Sequence, residues 1–150
     1  TTPNFRMLEK EAVRIGGGVN HRMGLYDMIM LKDNHIDFSG GITAAVTNTV
    51  AYLKERNLPL QIEVETRSLD DVKEVLAVGQ VDRIMLDNFA PADIVTAMQL
   101  INGRFETEAS GGITLSNLEA YAKTGVDYIS VGAVIHHAVS LDLSLKAIIL

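Results

Sequence analysis

The chain has 150 residues, a net charge of -6, 47% hydrophobic residues, three prolines and no cysteine. That length supports one domain with a real core. The composition argues against disorder, excludes disulfides and thiolate metal sites, and disfavours nucleic acid as the main partner, because a phosphate backbone needs a basic surface.

Taken in order, Thr2 is placed to cap a helix with Pro3 at its first position, and Phe5, Leu8, Ala12 and Ile15 fall on one helical stripe. Gly16-Gly17-Gly18 ends it. The short apolar run Met28 to Leu31 reads as a buried strand. Ile42, Ala45, Val46, Thr49, Val50 and Leu53 form a second helical stripe, and Leu60 to Val64 a strand. Ser68, with Asp71 three residues on, caps a helix running to about Val78 and stopping at Gly79. Ile84 to Leu86 is a strand, Pro91 opens a helix to about Ile101, and Phe105 to Ala109 is a strand. Thr114 caps a helix ending at Gly125, and Tyr128 to Val131 is a strand. Leu141 to Leu150 fits helix or strand equally.

This alternation predicts βα units on a parallel sheet. A doubly wound sheet and a (β/α) barrel both satisfy it. A closed barrel needs roughly 250 residues, so the barrel reading is of an incomplete, TIM-like one. The chain lacks a starting Met and opens on a helix-start signal, so it is expected to be cut from something longer.

The polar residues follow the strands. Lys32-Asp33-Asn34-His35 comes after Leu31, Glu65 after Val64, Asp87-Asn88 after Leu86, Ser110-Gly111-Gly112 after Ala109, and Gly132 after Val131. In a parallel barrel those carboxyl ends share one face, the face that carries active sites. Glu65 and Asp87, on adjacent strand ends, have the chemistry to hold Mg²⁺, accept ribose hydroxyls or act as an acid/base pair. Either one alone is also a plausible helix cap. The glycines at 111, 112 and 132 let backbone N–H groups close on a phosphate. His21, Arg22 and Lys32 supply cations for an acidic small molecule. His35 and His136 read as hydrogen-bonded structural residues, since no histidine pair here has zinc spacing with a third ligand. The residues therefore point to an anionic, phosphorylated ligand with Mg²⁺ and leave the reaction open.

Several blocks resemble the quinolinate phosphoribosyltransferase family (nicotinate-nucleotide pyrophosphorylase, carboxylating). They are Thr1-Thr2-Pro3, Gly16-Gly17-Gly18, Asn20 to Asp27 and Lys32 to His35, then Glu63-Val64-Glu65, Leu86-Asp87-Asn88, Glu108 to Ile113 and Asp127 to Ala133. The resemblance covers essentially the whole chain. It implies the C-terminal barrel domain of a two-domain enzyme, with the N-terminal sandwich domain and first barrel strands absent. It implies a dimer or larger homo-oligomer and a cytoplasmic location, with an organellar address left open. The implied reaction joins quinolinate and phosphoribosyl pyrophosphate with Mg²⁺, giving nicotinate mononucleotide, pyrophosphate and CO₂ for NAD synthesis. Carried over by position, His21, Arg22 and Lys32 would bind the quinolinate carboxylates. Glu65 and Asp87 would hold the ribose hydroxyls and Mg²⁺. Ser110, Gly111, Gly112, Gly132 and His136 would surround the 5′-phosphate. Lys32, Glu65 and Asp87 are the implied catalytic residues.

There are departures. The family's Arg-Lys pair before the first block is absent, and Ala133-Val134-Ile135-His136-His137 stands where the family reads Ala-Leu-Thr-His-Ser. The spacing from Glu65 to Asp87 is slightly long. Lacking the cationic pair and a partner surface, the chain alone is expected to turn over little or nothing. Competing readings are a paralogue with another substrate, such as the members associated with molybdate transport, a non-catalytic barrel module, and an isomerase-type phosphate-binding barrel. The cationic loop at His21 and Arg22 favours the transferase.

Overall fold

A computed structural model of the chain describes residues 1–149. It contains α1 (Arg6–Ile15), β1 (Ile29–Leu31), α2 (Asp33–Ser39), α3 (Ile42–Arg56), β2 (Ile62–Thr66), α4 (Leu69–Val78), β3 (Arg83–Asp87), α5 (Pro91–Ile101), β4 (Glu106–Ser110), α6 (Leu118–Ala122), β5 (Tyr128–Ile129) and α7 (Ala133–His136).

All pairings are parallel, and the sheet order is β1-β2-β3-β4-β5. A doubly wound sheet reverses its strand order at a switch point. Strictly sequential order is the winding of a (β/α) barrel, here an incomplete, TIM-like one.

Side chains alternate across each strand. Leu31, Ile62, Val64, Ile84, Leu86 and Ala109 take the helix side. They are buried in one core with Val46 and Leu53 of α3, Val72 and Val75 of α4, and Ile94, Ala97 and Ile101 of α5. The intervening residues take the other face. The register sets Glu63 beside Arg83, Glu65 beside Met85, Arg83 beside Glu106, Met85 beside Glu108, and Asp87 beside Ser110.

An aspartate near the start of two strands repeats one device. The Asp82 carboxylate accepts the Ile62 N–H at 2.7 Å, and Asp127 accepts the Thr107 N–H at 2.8 Å and the Thr107 hydroxyl at 2.7 Å. Each ties its strand to the neighbour at the amino end and so fixes register.

Several expectations shift. β2, β3 and β4 run one or two residues further than the apolar runs suggest, so Glu65, Asp87 and Ser110 lie inside strands rather than after them. β5 stops at Ile129. Thr2 is not the cap of α1; Phe5 holds that position, and the Thr2 hydroxyl donates to Glu9 instead. The stripe of α1 is exposed, with no residue of the helix buried. Thr114 is not the cap of α6, which begins four residues later. Its N–H donates to Asn117 Oδ1 at 2.7 Å within a turn. Ser68 does cap α4, accepting the Asp71 N–H at 3.1 Å. Two short helices, α2 and α7, lie outside the periodic pattern; α2 begins two residues after the end of β1 and α7 four residues after the end of β5, and neither has a long apolar stripe. Residues 137–149 form neither helix nor strand, and Leu150 lies outside the described residues.

Replacing Asp127 by Ala should strand two Thr107 donors and cost about 1–3 kcal/mol, measured as a drop in the urea midpoint. An unchanged midpoint would show that the aspartate device does not hold the strands.

Candidate active site

At the carboxyl end of the sheet lies an open cavity of about 910 Å³. His21, Arg22, Lys32, Glu65, Asp87, Ser110, Gly111, Gly112, Gly132 and His136 all line it. Positions spread over more than one hundred residues thus converge on one space, because parallel strands deliver their carboxyl ends to the same side.

The His21-Arg22 loop is held from two sides. From α1, the Lys10 ammonium donates to the Arg22 carbonyl at 2.6 Å and the Arg6 guanidinium to the Met23 carbonyl at 2.8 Å. The Arg22 side chain itself donates to the Met28 carbonyl at 3.2 Å, just ahead of β1. Lys32 stands exposed at the N-cap of α2, where its N–H donates to His35 Nδ1 at 3.0 Å. His35 therefore has a structural role at the start of α2. Neither Arg22 nor Lys32 forms an ion pair among the described residues, so both cations remain available to a ligand.

Among the described residues the Glu65 carboxylate receives only a long hydrogen bond, from the Asp33 N–H at 3.4 Å. Burial pushes its carboxyl above the ordinary glutamate range. The nearby Asp87 and Asp33 charges add to that, while the Asp33 N–H and the Lys32 charge oppose it. Asp87 accepts from the Asn88 amide at 2.6 Å. The two carboxylates feel one another across a shared cavity and keep unshared oxygens.

Beside them, Gly111 and Gly112 have φ of +95° and +59°. A Cβ on Gly111 would come within 2.2 Å of Asn88 Oδ1, so only glycine fits. The N–H groups of Gly111, Gly112 and Gly132 have no partner in turns, caps or side chains among the described residues. The Ser110 loop does not abut the start of α6, which lies further on. The short helix α7 follows Gly132 directly and carries His136.

The cavity is backed by side chains outside the candidate set, of which Glu108 and Ser130 reach its lining. Glu63 and Glu108 are buried, and His21 Nε2 lies 2.5 Å from Glu63 Oε2 and 3.7 Å from Glu108 Oε2. Arg83 donates to Glu108 at 3.2 Å and to Glu106 at 2.8 Å, and its guanidinium stacks 4.1 Å from the centre of the Tyr128 ring. The Ser130 hydroxyl donates to Glu108. The signal was present as alternation: Glu63-Val64-Glu65 and Glu106-Thr107-Glu108-Ala109-Ser110 put a polar side chain on the same face at every second position.

Over residues 1–146 the chain matches the family described as quinolinate phosphoribosyl transferase, C-terminal domain. It is 49% identical over 160 aligned positions to the chloroplastic nicotinate-nucleotide pyrophosphorylase [carboxylating] of Arabidopsis thaliana, covering 97% of this chain and 46% of that protein. It is 49% identical to the probable nicotinate-nucleotide pyrophosphorylase [carboxylating] of Synechocystis, covering 99% and 50%. The crystal structure of NadC from Streptococcus pyogenes superposes with a TM-score of 0.90 at 45% identity, over 98% of this chain and 50% of that one. The chain spans about half the length of the curated relatives it matches.

Burial, reinforced by the Glu63 charge, holds the Glu108 carboxyl above the ordinary glutamate range. Folding therefore shifts it toward its neutral form relative to the unfolded chain. Its contribution to stability is complete below the ordinary glutamate pKa and is lost as pH rises through the raised value. Glu108→Gln should gain stability relative to the unmodified protein as pH rises from about 4 to 8, read from urea midpoints across that range. A difference that does not change with pH would contradict this.

Proposed function

The chain belongs to the quinolinate phosphoribosyl transferase family, and on that premise we propose that it forms the catalytic barrel of a carboxylating nicotinate-nucleotide pyrophosphorylase. Such an enzyme makes nicotinate mononucleotide, pyrophosphate and CO₂ from quinolinate and phosphoribosyl pyrophosphate. The observation that carries this reading is the convergence of cationic and imidazole side chains, the Glu65 and Asp87 carboxylates and a glycine-lined donor surface on one cavity.

Quinolinate is a dianion, and its desolvation must be offset by positive charge. Arg22 and Lys32, which line the cavity and form no ion pair among the described residues, supply it, with Arg22 suited to a two-point grip on a carboxylate. His21 binds the same ligand from the floor. The N–H groups of Gly111, Gly112 and Gly132, with Ser110 and His136, face the 5′-phosphate. Glu65 and Asp87 hold the ribose hydroxyls. Carboxylates there oppose the positive charge that grows on the ribose as the ring nitrogen forms its bond to the anomeric carbon and pyrophosphate departs. The ring nitrogen is then cationic. It stabilises the carbanion left when the adjacent carboxylate leaves as CO₂, and that carbon takes up a proton. Lys32, near both ligand sites, is the third catalytic residue.

The donor set of Glu65 and Asp87, two carboxylates with unshared oxygens on adjacent strands, fits a hard divalent cation. Mg²⁺ held there would offset charge on the departing pyrophosphate. We also propose that the protein works as a homo-oligomer. The exposed apolar stripe of Phe5, Leu8 and Ile15 on α1 supports this. No described helix is long and apolar enough to cross a membrane.

The test is CO₂ release from quinolinate by the full-length protein that carries this chain, with nicotinate as the control substrate. Release should require quinolinate, phosphoribosyl pyrophosphate and Mg²⁺ together. Arg22→Ala should lower kcat/KM roughly 30-fold or more, mainly through the KM for quinolinate. A folded full-length protein that releases no CO₂ would refute the proposal.

A further inference from the structure

Glu63, the second residue of β2, is buried, and only one of its two carboxylate oxygens has a partner among the described residues. Burying a carboxylate is costly unless it is paired and hydrogen-bonded, and an apolar residue of similar volume would usually pack as well or better. Its neighbour Glu108 is fully engaged, with Ser130 on one oxygen and Arg83 on the other. Among the described residues the Glu63 side chain has a single hydrogen-bond partner, His21 Nε2 at 2.5 Å, whereas Glu108 stands 3.7 Å from the same nitrogen, beyond hydrogen-bond range. Among the described residues, Glu63 joins the ion pairs of Arg83 with Glu106 and Glu108 only through His21.

An ionised carboxylate only accepts hydrogen bonds, which assigns a hydrogen to Nε2. The other ring nitrogen, Nδ1, has no protein partner among the described residues, and His21 lines the cavity. A substrate carboxylate also only accepts. A ring bound between the two carboxylates therefore needs a hydrogen on each nitrogen, and that cation needs negative charge behind it. The titratable and charged groups around the ring are Glu63 on β2, Glu108 on β4 and, bonded to Glu108, Arg83 on β3.

We propose that Glu63 is a positioning residue for His21: from beneath the cavity floor it fixes the ring through Nε2 and commits Nδ1 to a carboxylate of the dianionic substrate. This rests on the functional reading above. It makes the buried β2 carboxylate part of substrate selection although it touches no substrate, much as outer carboxylates orient metal-bound histidines.

The experiment uses the full-length protein and the isosteric variant Glu63→Gln. The KM for quinolinate should rise about 10- to 100-fold, while the KM for phosphoribosyl pyrophosphate stays within about twofold. Combined with His21→Ala, Glu63→Gln should add no further loss, because both remove the same interaction. ¹⁵N spectra of the His21 ring should show hydrogen on Nε2 in the free protein and on both nitrogens with quinolinate bound. Glu63→Gln should alter these spectra, and Glu108→Gln should not. An unchanged quinolinate KM, additive losses in the double variant, or a free ring with hydrogen on Nδ1 alone would overturn the proposal. If the unmodified protein releases no CO₂, the functional reading fails, and the ring spectra of the free protein still decide whether Glu63 fixes His21. If Glu63→Gln does not fold, the spectra of the unmodified protein decide the same point.

Discussion

The structure depends on one geometric constraint, the two-residue alternation of side chains along parallel strands that pair in sequence order. Each strand gives one set of side chains to the helices and the other set to the opposite face. On the helix side the set is Leu31, Ile62, Val64, Ile84, Leu86 and Ala109, a continuous apolar layer. On the other it is Glu63, Glu65, Arg83, Met85, Asp87, Glu106, Glu108 and Ser110, largely charged. A register slip of one residue would exchange the two sets and bury carboxylates against α3, α4 and α5. The Asp82 and Asp127 bonds to neighbouring strand starts therefore protect both the core and the site.

Charge on the inner face is graded along the strands. Near the amino ends Arg83 bridges Glu106 and Glu108 and stacks on Tyr128, which makes an internally satisfied layer. One turn of the alternation higher, Glu65 and Asp87 have few protein partners. Higher still, Ser110 leads into glycines whose N–H groups are open. The site is built by leaving polar groups progressively less satisfied toward the carboxyl ends. That is a stability cost accepted where a ligand can offset it. Glu63 breaks the gradient, being deep yet half satisfied, and so marks a role beyond packing.

Much of this was legible in the sequence. Apolar runs located every strand, and caps such as Ser68 and the Pro91 start located the long helices. The placement of Lys32, Glu65, Asp87 and Ser110 at the carboxyl ends of apolar runs was enough to gather the cavity. What escaped has physical reasons. The short helices α2 and α7 have too few residues for a periodic stripe and are set by local contacts such as Lys32 N–H to His35. The choice between a doubly wound sheet and a barrel depends on strand order, which periodicity does not contain. The Glu63, Arg83 and Glu108 floor was written in the alternation, but a charged residue within a strand reads most simply as a solvent-facing one. Only the three-dimensional pairing of strands turns that face inward.

The most direct test of the account is a crystal structure of the full-length protein with quinolinate bound. The two ligand carboxylates should lie against Arg22, Lys32 and His21, with the ring nitrogen facing the space between Glu65 and Asp87. Quinolinate bound elsewhere, or in this cavity with its carboxylates turned away from those three side chains, would contradict the account.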